Sequence, residues 1–226
     1  MKKLIFSISV IALLGTSCKK DDTPTPTPPA ADKYMSVTAA STWNYELTDN
    51  SAPAPVVKLY TVTSANRDST INTKAYHVFT NSGGSGNEYY YIGGNDYYNF
   101  RSLPAAFGGA NVENIYLKDN VLANNGWPQP YPITVNGIST TATLTNTITA
   151  KGLTKVVNSI SYTDVIQVTT TIAVVGVPPA ALITDIQSFY APKFGLIQSV
   201  NKINLNYLGA VANVNQTTIL KSADIK

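Results

Sequence analysis

The residues of this chain that could do chemistry are few. There is one Cys, Cys18, and one His, His77. A lone thiol closes no disulfide within the chain, and a lone imidazole falls short of the three or four ligands that a zinc site takes. No metal and no cofactor is therefore expected. His77 has the chemistry of a general base, but no Gly-x-Ser-x-Gly elbow accompanies it. In Ala75-Tyr76-His77-Val78-Phe79 it reads as a strand residue with an ordinary hydrogen bond. Asp164 interrupts an alternating apolar face made of Ile160, Tyr162, Ile166, Val168, Ile172 and Val174. A buried, unpaired carboxylate is costly, so a bulge at Thr163-Asp164 turns it outward, a Lys or Arg pairs with it, or it is catalytic. Carboxylate catalysis needs a second group of different pKa, and none is spaced to serve, so no enzymatic activity is expected. Asn95-Asp96 and Asp119-Asn120 lack the spaced oxygens of a calcium loop and read as turns. Gly83-Gly84-Ser85-Gly86 is followed by neither Lys-Ser/Thr nor a helical pattern, which argues against a phosphate cradle.

The densest feature runs from Glu88 to Phe100 and carries five tyrosines. Gly94-Asn95 at its centre predicts a β-hairpin with Ile92 opposite Tyr97. Alternation then puts Tyr89, Tyr91, Tyr98 and Phe100 on one face, and Tyr90, Ile92, Tyr97 and Asn99 on the other. If the first face is core, Tyr90, Tyr97 and Asn99 form a candidate ligand surface. Rings beside an amide suit the apolar faces and hydroxyls of sugars, or an apolar ligand. The simpler alternative is that tyrosines fill both faces of a two-sided sheet. A second pattern, Thr141, Thr143, Thr145, Thr147 and Thr149, alternates with Ala142, Leu144, Asn146, Ile148 and Ala150. The threonines read as a solvated outer face and the others as inward.

The elements that must position these residues are strands. Helical periodicity is nearly absent, while alternation with β-branched and aromatic residues recurs. Strands are predicted over Thr42–Thr48, Val56–Thr63, Ala75–Thr80, Glu88–Ile92, Tyr97–Arg101 and Ile115–Leu117. Others follow over Ile133–Val135, Thr140–Ala150, Val156–Val175, Thr184–Tyr190 and Leu196–Tyr207. Asn124–Pro132 reads as a loop. Short connections imply antiparallel meanders. The expected fold is all-β: a single curved antiparallel sheet or half-barrel over residues 33–226, or alternatively a two-sheet sandwich.

Composition bounds the partners. Of 226 residues 13% are charged, about half the usual share. Two of the sixteen Lys and Arg are Lys2 and Lys3, so the rest of the chain is close to neutral and lacks the basic footprint of a nucleic-acid binder. Lys2 and Lys3 precede the apolar stretch Leu4–Leu14, which is too short to span a bilayer, and Gly15-Thr16-Ser17 follows it. This predicts a signal peptide over 1–17, with Cys18 placed to accept a lipid. Thr23-Pro24-Thr25-Pro26-Thr27-Pro28-Pro29 predicts an extended tether over 18–32.

The leader resembles bacterial lipoprotein signals, though Leu14 stands four residues before Cys18 rather than three. Cys18-Lys19-Lys20-Asp21-Asp22 is similar to the export signal of Bacteroidetes surface lipoproteins, and Asp68-Ser69-Thr70 resembles their O-glycosylation triplet. Ser41-Thr42-Trp43-Asn44-Tyr45, Tyr116-Leu117-Lys118-Asp119-Asn120 with Gly126-Trp127, and Tyr190-Ala191-Pro192-Lys193-Phe194-Gly195 also resemble segments of Bacteroidetes lipoproteins with a curved antiparallel sheet. The resemblance implies a fold similar to the half-barrels of lipoprotein carriers, anchored in the outer membrane through lipidated Cys18, with exposure at the cell surface expected and a periplasm-facing orientation as the alternative. It carries no catalytic residue. The expected function is non-enzymatic binding of a glycan or apolar ligand. The alternative is a structural or assembly protein that joins partners through its sheet edges.

Overall fold

The computed structural model describes residues 33–103, 109–135 and 137–226. The expected leader, Cys18 and the tether lie outside the described residues. Twelve strands are described: β1 (Thr42–Asp49), β2 (Val56–Ile71), β3 (Lys74–Asn81), β4 (Asn87–Gly93), β5 (Asp96–Ser102) and β6 (Asn111–Lys118), then β7 (Gly126–Val135), β8 (Ile138–Val157), β9 (Ile160–Val174), β10 (Leu182–Ala191), β11 (Gly195–Tyr207) and β12 (Ala210–Asp224). They form one antiparallel sheet in the order β6-β5-β4-β3-β2-β1-β12-β11-β10-β9-β8-β7. Except for β6 and β7, each strand pairs with its neighbours in sequence, and β1 pairs with β12 from Thr42↔Asp224 to Asp49↔Gln216. The sheet therefore curls round to a nearly closed barrel, and the sandwich alternative is not what forms.

Only β6 and β7 fail to make a ladder. The cause is written in β7. Pro128, Pro130 and Pro132 occupy alternate positions opposite Thr145, Thr143 and Thr141 of β8, so all three ring nitrogens face the edge away from β8, where no donor remains. Side chains take over at this seam. The Ile115 carbonyl accepts from Trp127 Nε1 at 2.8 Å, Gln129 Nε2 at 3.0 Å and Asn146 Nδ2 at 2.8 Å. The Ile115 N–H donates to Gln129 Oε1 at 2.7 Å, and Tyr131 OH donates to the Glu113 carbonyl at 2.9 Å. The Ile115 N–H and carbonyl and the Glu113 carbonyl, which would otherwise stand open on the β6 edge, are thus satisfied.

One end of the barrel, where the β2–β3, β4–β5, β6–β7, β8–β9 and β10–β11 turns lie, is plugged. Residues 33–41 cross it: the Tyr34 N–H donates to Tyr97 OH at 3.1 Å, the Lys193 N–H to the Lys33 carbonyl at 2.7 Å, and the Ala40 N–H to the Ser64 carbonyl at 2.9 Å. Tyr34 is buried and Met35 packs between two of the core clusters. The β8–β9 hairpin helps close the same end. Three register shifts between Ile148 and Lys155 bend it, with Gly152 and Asp164 in the left-handed region, so that Asn158 Nδ2 reaches the Lys221 carbonyl at 2.9 Å.

The differences from the sequence reading have physical causes. The single strand expected over Val156–Val175 is two strands, because Asn158 and Ser159 both take positive φ (49° and 66°) and make a two-residue hairpin turn. Asn124 and Asn125 lie in the turn as expected, but Gly126–Pro132 is strand: proline is tolerated on an edge strand, and β7 is one. β12 was missed because Asn213, Asn215, Gln216, Thr217 and Thr218 blur its alternation. Of the three alternatives for Asp164, the bulge is the one that forms, and it leaves that residue exposed at φ 54°. The β8 alternation is as expected through Ala142, Leu144, Asn146 and Ile148, which are buried, and breaks at Ala150, which is half-buried beyond the register shift after Ile148.

Candidate functional site

The β4–β5 hairpin has the expected register, with Tyr89↔Phe100, Tyr90↔Asn99, Tyr91↔Tyr98 and Ile92↔Tyr97. Both of its faces are occupied. On the outside, Tyr76 of β3 is wholly buried beneath Tyr91 and Phe100. Lys74 Nζ lies 4.1 Å from the Tyr98 ring centre and donates to Glu113 at 2.6 Å. This outer layer is packing.

The inner face borders a cavity of about 550 Å³ inside the barrel. Tyr90 and Asn99 line it. The Tyr90 ring stands edge-on to Phe79 (5.2 Å, 81°) and to Tyr116 (5.9 Å, 84°), and its hydroxyl donates to Glu88 Oε2 at 2.7 Å. Tyr97 is placed differently. It is wholly buried toward the plugged end, where its hydroxyl donates to Asp119 Oδ2 at 2.7 Å and accepts from the Tyr34 N–H. It holds the plug and does not border the cavity. Of the three residues singled out from the sequence, the fold brings two to one wall.

The rest of the wall comes from strands remote in sequence. Trp43, Tyr45 and Tyr60 enter from β1 and β2, and Tyr116 and Tyr190 from the opposite side, with Tyr116 and Tyr190 5.4 Å apart. Burial pushes the phenols of Tyr45, Tyr90 and Tyr116 well up, and those of Tyr60 and Tyr190 up to about 12. They stay neutral donors throughout the physiological range. A chain of amides crosses the wall at the seam: Asn114 Nδ2 donates to Asn99 Oδ1 at 3.0 Å, Gln129 Nε2 to Asn114 Oδ1 at 3.1 Å, and Thr170 Oγ1 to Asn146 Oδ1 at 2.5 Å. Two cavity-lining groups, the Trp43 indole N–H and Asn201 Oδ1, are buried with no hydrogen-bond partner among the described residues. Arg101 and Ser102 also line the cavity and are exposed, so it reaches solvent at the end opposite the plug. The aromatic, amide-lined interior can enclose an apolar body and meet a few polar atoms of fixed position. A polar residue at an inward position of a strand was the available signal, and Asn146 between Leu144 and Ile148 shows it. Trp43 and Asn201 had none.

A second constellation was not foreseen. Ser64 Oγ lies 2.9 Å from His77 Nε2, and His77 Nδ1 lies 2.9 Å from Asp68 Oδ1. The order matches a hydrogen-bond relay, and a bulge of β2 between Ser64 and Asp68 creates it. Its surroundings do not suit acyl transfer. Ser64 is 1% exposed, its N–H is taken by the Ser41 carbonyl, and its hydroxyl also lies 3.1 Å from the Val37 carbonyl. A carbonyl carbon has no approach to it. The trio staples residues 37–41 to β2.

Asp164, the other candidate, accepts from Tyr34 OH at both its backbone oxygen (2.9 Å) and Oδ2 (3.1 Å). It too fastens the plug. Among the described residues no cluster of three or more His, Cys, Asp or Glu could hold a metal ion.

Among solved structures, a candidate lipoprotein from Parabacteroides distasonis aligns over 86% of this chain and 99% of its own, with a TM-score of 0.50 and 12% identity. The two chains share a fold. At that identity the likeness speaks for the curved, nearly closed sheet and not for the residues lining it. No family model and no curated protein matches the chain.

Proposed function

We propose that the chain is a lipid-anchored envelope lipoprotein whose barrel holds an apolar or amphiphilic ligand without transforming it. The observation that carries this reading is the cavity of about 550 Å³, within the usual range of ligand sites, with two polar groups that have no partner among the described residues in a wall of aromatic, aliphatic and amide side chains. The rings would enclose the apolar body, while the Trp43 N–H and Asn201 Oδ1 would meet its polar atoms. A flat glycan suits an open face better than this interior. Anchoring through Cys18, residence in the outer membrane and exposure at the surface rest on the leader and on the Cys18–Asp22 resemblance, and the fold shared with a candidate lipoprotein agrees with them. The edge-joining alternative is weakened by the seam, where prolines and side chains cover the edges that a partner strand would need.

The test is native mass spectrometry of residues 33–226 recovered from the periplasm of a related host. An added mass that is lost in Tyr90→Ala or in Trp43→Phe supports the reading. A clean unliganded mass, with no rise in Tm on adding fatty acids or lysolipids, overturns it.

A further inference from the structure

The seam carries a directional hydrogen-bond relay that ends in the cavity. It starts at the Ile115 N–H, a group that can only donate, so the side-chain oxygen of Gln129 faces it at 2.7 Å. Gln129 Nε2 then donates to Asn114 Oδ1 at 3.1 Å, and Asn114 Nδ2 to Asn99 Oδ1 at 3.0 Å. Each amide is oriented by the one before it, and none can turn over without setting two like groups face to face. Asn99, on the cavity wall, is left with its oxygen taken and its Nδ2 group without a partner among the described residues. It offers the interior N–H groups and no free carbonyl.

Arg101 stands two residues further along β5, on the same inward face and the same wall. Burial raises the Tyr131 and Tyr190 phenols, and the positive charge of Arg101 works against it at both, so that charge is felt inside the barrel. Glu88 is the only carboxylate among the described residues that line the cavity, and the Tyr89↔Phe100 register puts it on the strand beside Arg101. It does not neutralise the guanidinium. Its two oxygens accept from Asn81 Nδ2 and from Tyr90 OH, and no carboxylate among the described residues pairs with Arg101.

We infer that the ligand is a long-chain carboxylate, its head set between Arg101 and the Asn99 amide and its apolar body against the rings of Tyr45, Tyr60, Phe79 and Tyr90. The inference rests on the reading of the cavity as a site for an apolar or amphiphilic ligand. Two donor groups with no acceptor fit a head that only accepts, and the planar guanidinium matches the two oxygens of a carboxylate. A phosphate monoester would bring close to two negative charges beside Glu88, with one cation to meet them.

Residues 33–226 contain all twelve described strands and the β1–β12 closure, so this segment can be used without the leader and anchor. Dissociation constants of dodecanoate, 1-dodecanol and dodecyl phosphate, each below its micellar concentration, are read from tryptophan fluorescence, to which Trp43 of the wall contributes. The expected preference for dodecanoate over the alcohol is about tenfold or more. It falls to one or below in Arg101→Gln, and also in Asn99→Asp, which preserves the relay but turns the free N–H group into an acceptor. Lys202→Gln removes a cation at a position between the inward Asn201 and Ile203, and should keep the preference. Equal binding of acid and alcohol, a preference that survives Arg101→Gln, or tighter binding of dodecyl phosphate would each overturn the inference and leave the apolar-ligand reading standing. Binding of none of the three would overturn both.

Discussion

Gln129 closes the seam between β6 and β7, and replacing it should open the barrel there. Its Oε1 accepts the Ile115 N–H (2.7 Å) and Tyr131 OH (3.2 Å), and its Nε2 donates to Asn114 Oδ1 (3.1 Å) and the Ile115 carbonyl (3.0 Å). Gln129→Leu keeps most of the volume and removes all four contacts. The Ile115 carbonyl retains Trp127 and Asn146, and Tyr131 OH retains the Glu113 carbonyl. The Ile115 N–H and the Oδ1 of Asn114 (a residue only 3% exposed) lose a partner that nothing else in the seam replaces. At about 1–3 kcal/mol for each such group, the expected loss is about 3 kcal/mol. Urea denaturation of residues 33–226 should show this as a lower midpoint at an unchanged m-value, and Tm should fall by about 6–12 °C. Hydrogen exchange at the Ile115 amide should accelerate more than at amides of β1, because the change is local. Thr145→Val, on the outward face of neighbouring β8, should stay within about 0.5 kcal/mol of the parent. A loss below about 1 kcal/mol, or equal effects of the two substitutions, would refute the view that side chains hold the seam.

Other outcomes follow from the same geometry. Asp164→Val should destabilise by about 1–3 kcal/mol, since a β-branched residue at φ 54° is strained and the Tyr34–Oδ2 contact is lost. Asp164→Gly should cost less, and thermal melts separate the two. Burial raises the Glu113 carboxyl, but hydrogen bonds from Lys74 and Tyr76 outweigh it and hold the group below its ordinary range. A depressed folded pKa gives stability that is complete above the unfolded value of about 4.3 and is lost as pH falls through the folded one. Glu113→Gln should therefore flatten the acid limb of a stability–pH curve. A fluorophosphonate probe should leave Ser64 unlabelled despite its contact with His77, and labelling that disappears in Ser64→Ala would revive an enzymatic role.

What could be read in the sequence was whatever depends on alternation and turn chemistry. The Gly94-Asn95 hairpin, the inward Leu144 and Asn146 and the Asp164 bulge all follow from period two and from the cost of burying a charge. The position of the prolines in β7 could be seen but not understood, because only the strand order makes that segment an edge. The cavity was illegible for a different reason. It joins Trp43 of β1 to Tyr116 of β6 and Tyr190 of β10, and the closure that brings them together depends on β12, whose polar sequence concealed it. Tyr97 shows the limit of reading faces alone: alternation put it on Tyr90's face as a ring open to a ligand, yet it is wholly buried and the plug takes its hydroxyl.

The strand order has a consequence for how the chain reaches this state. Every ladder except one joins strands adjacent in sequence, so most of the barrel can zip up from local hairpins at small loop-closure cost. Pairing Thr42 with Asp224 is the single long-range step. Until it happens β1 and β12 are both bare edges, and a growing chain has to wait for the fifteen residues of β12 before it can hide either. A truncation before Ala210 would leave a sheet that is almost fully formed yet ready to add strands from its neighbours. The vulnerability of this protein is therefore temporal: it lies in the interval between the first hairpins and the arrival of β12.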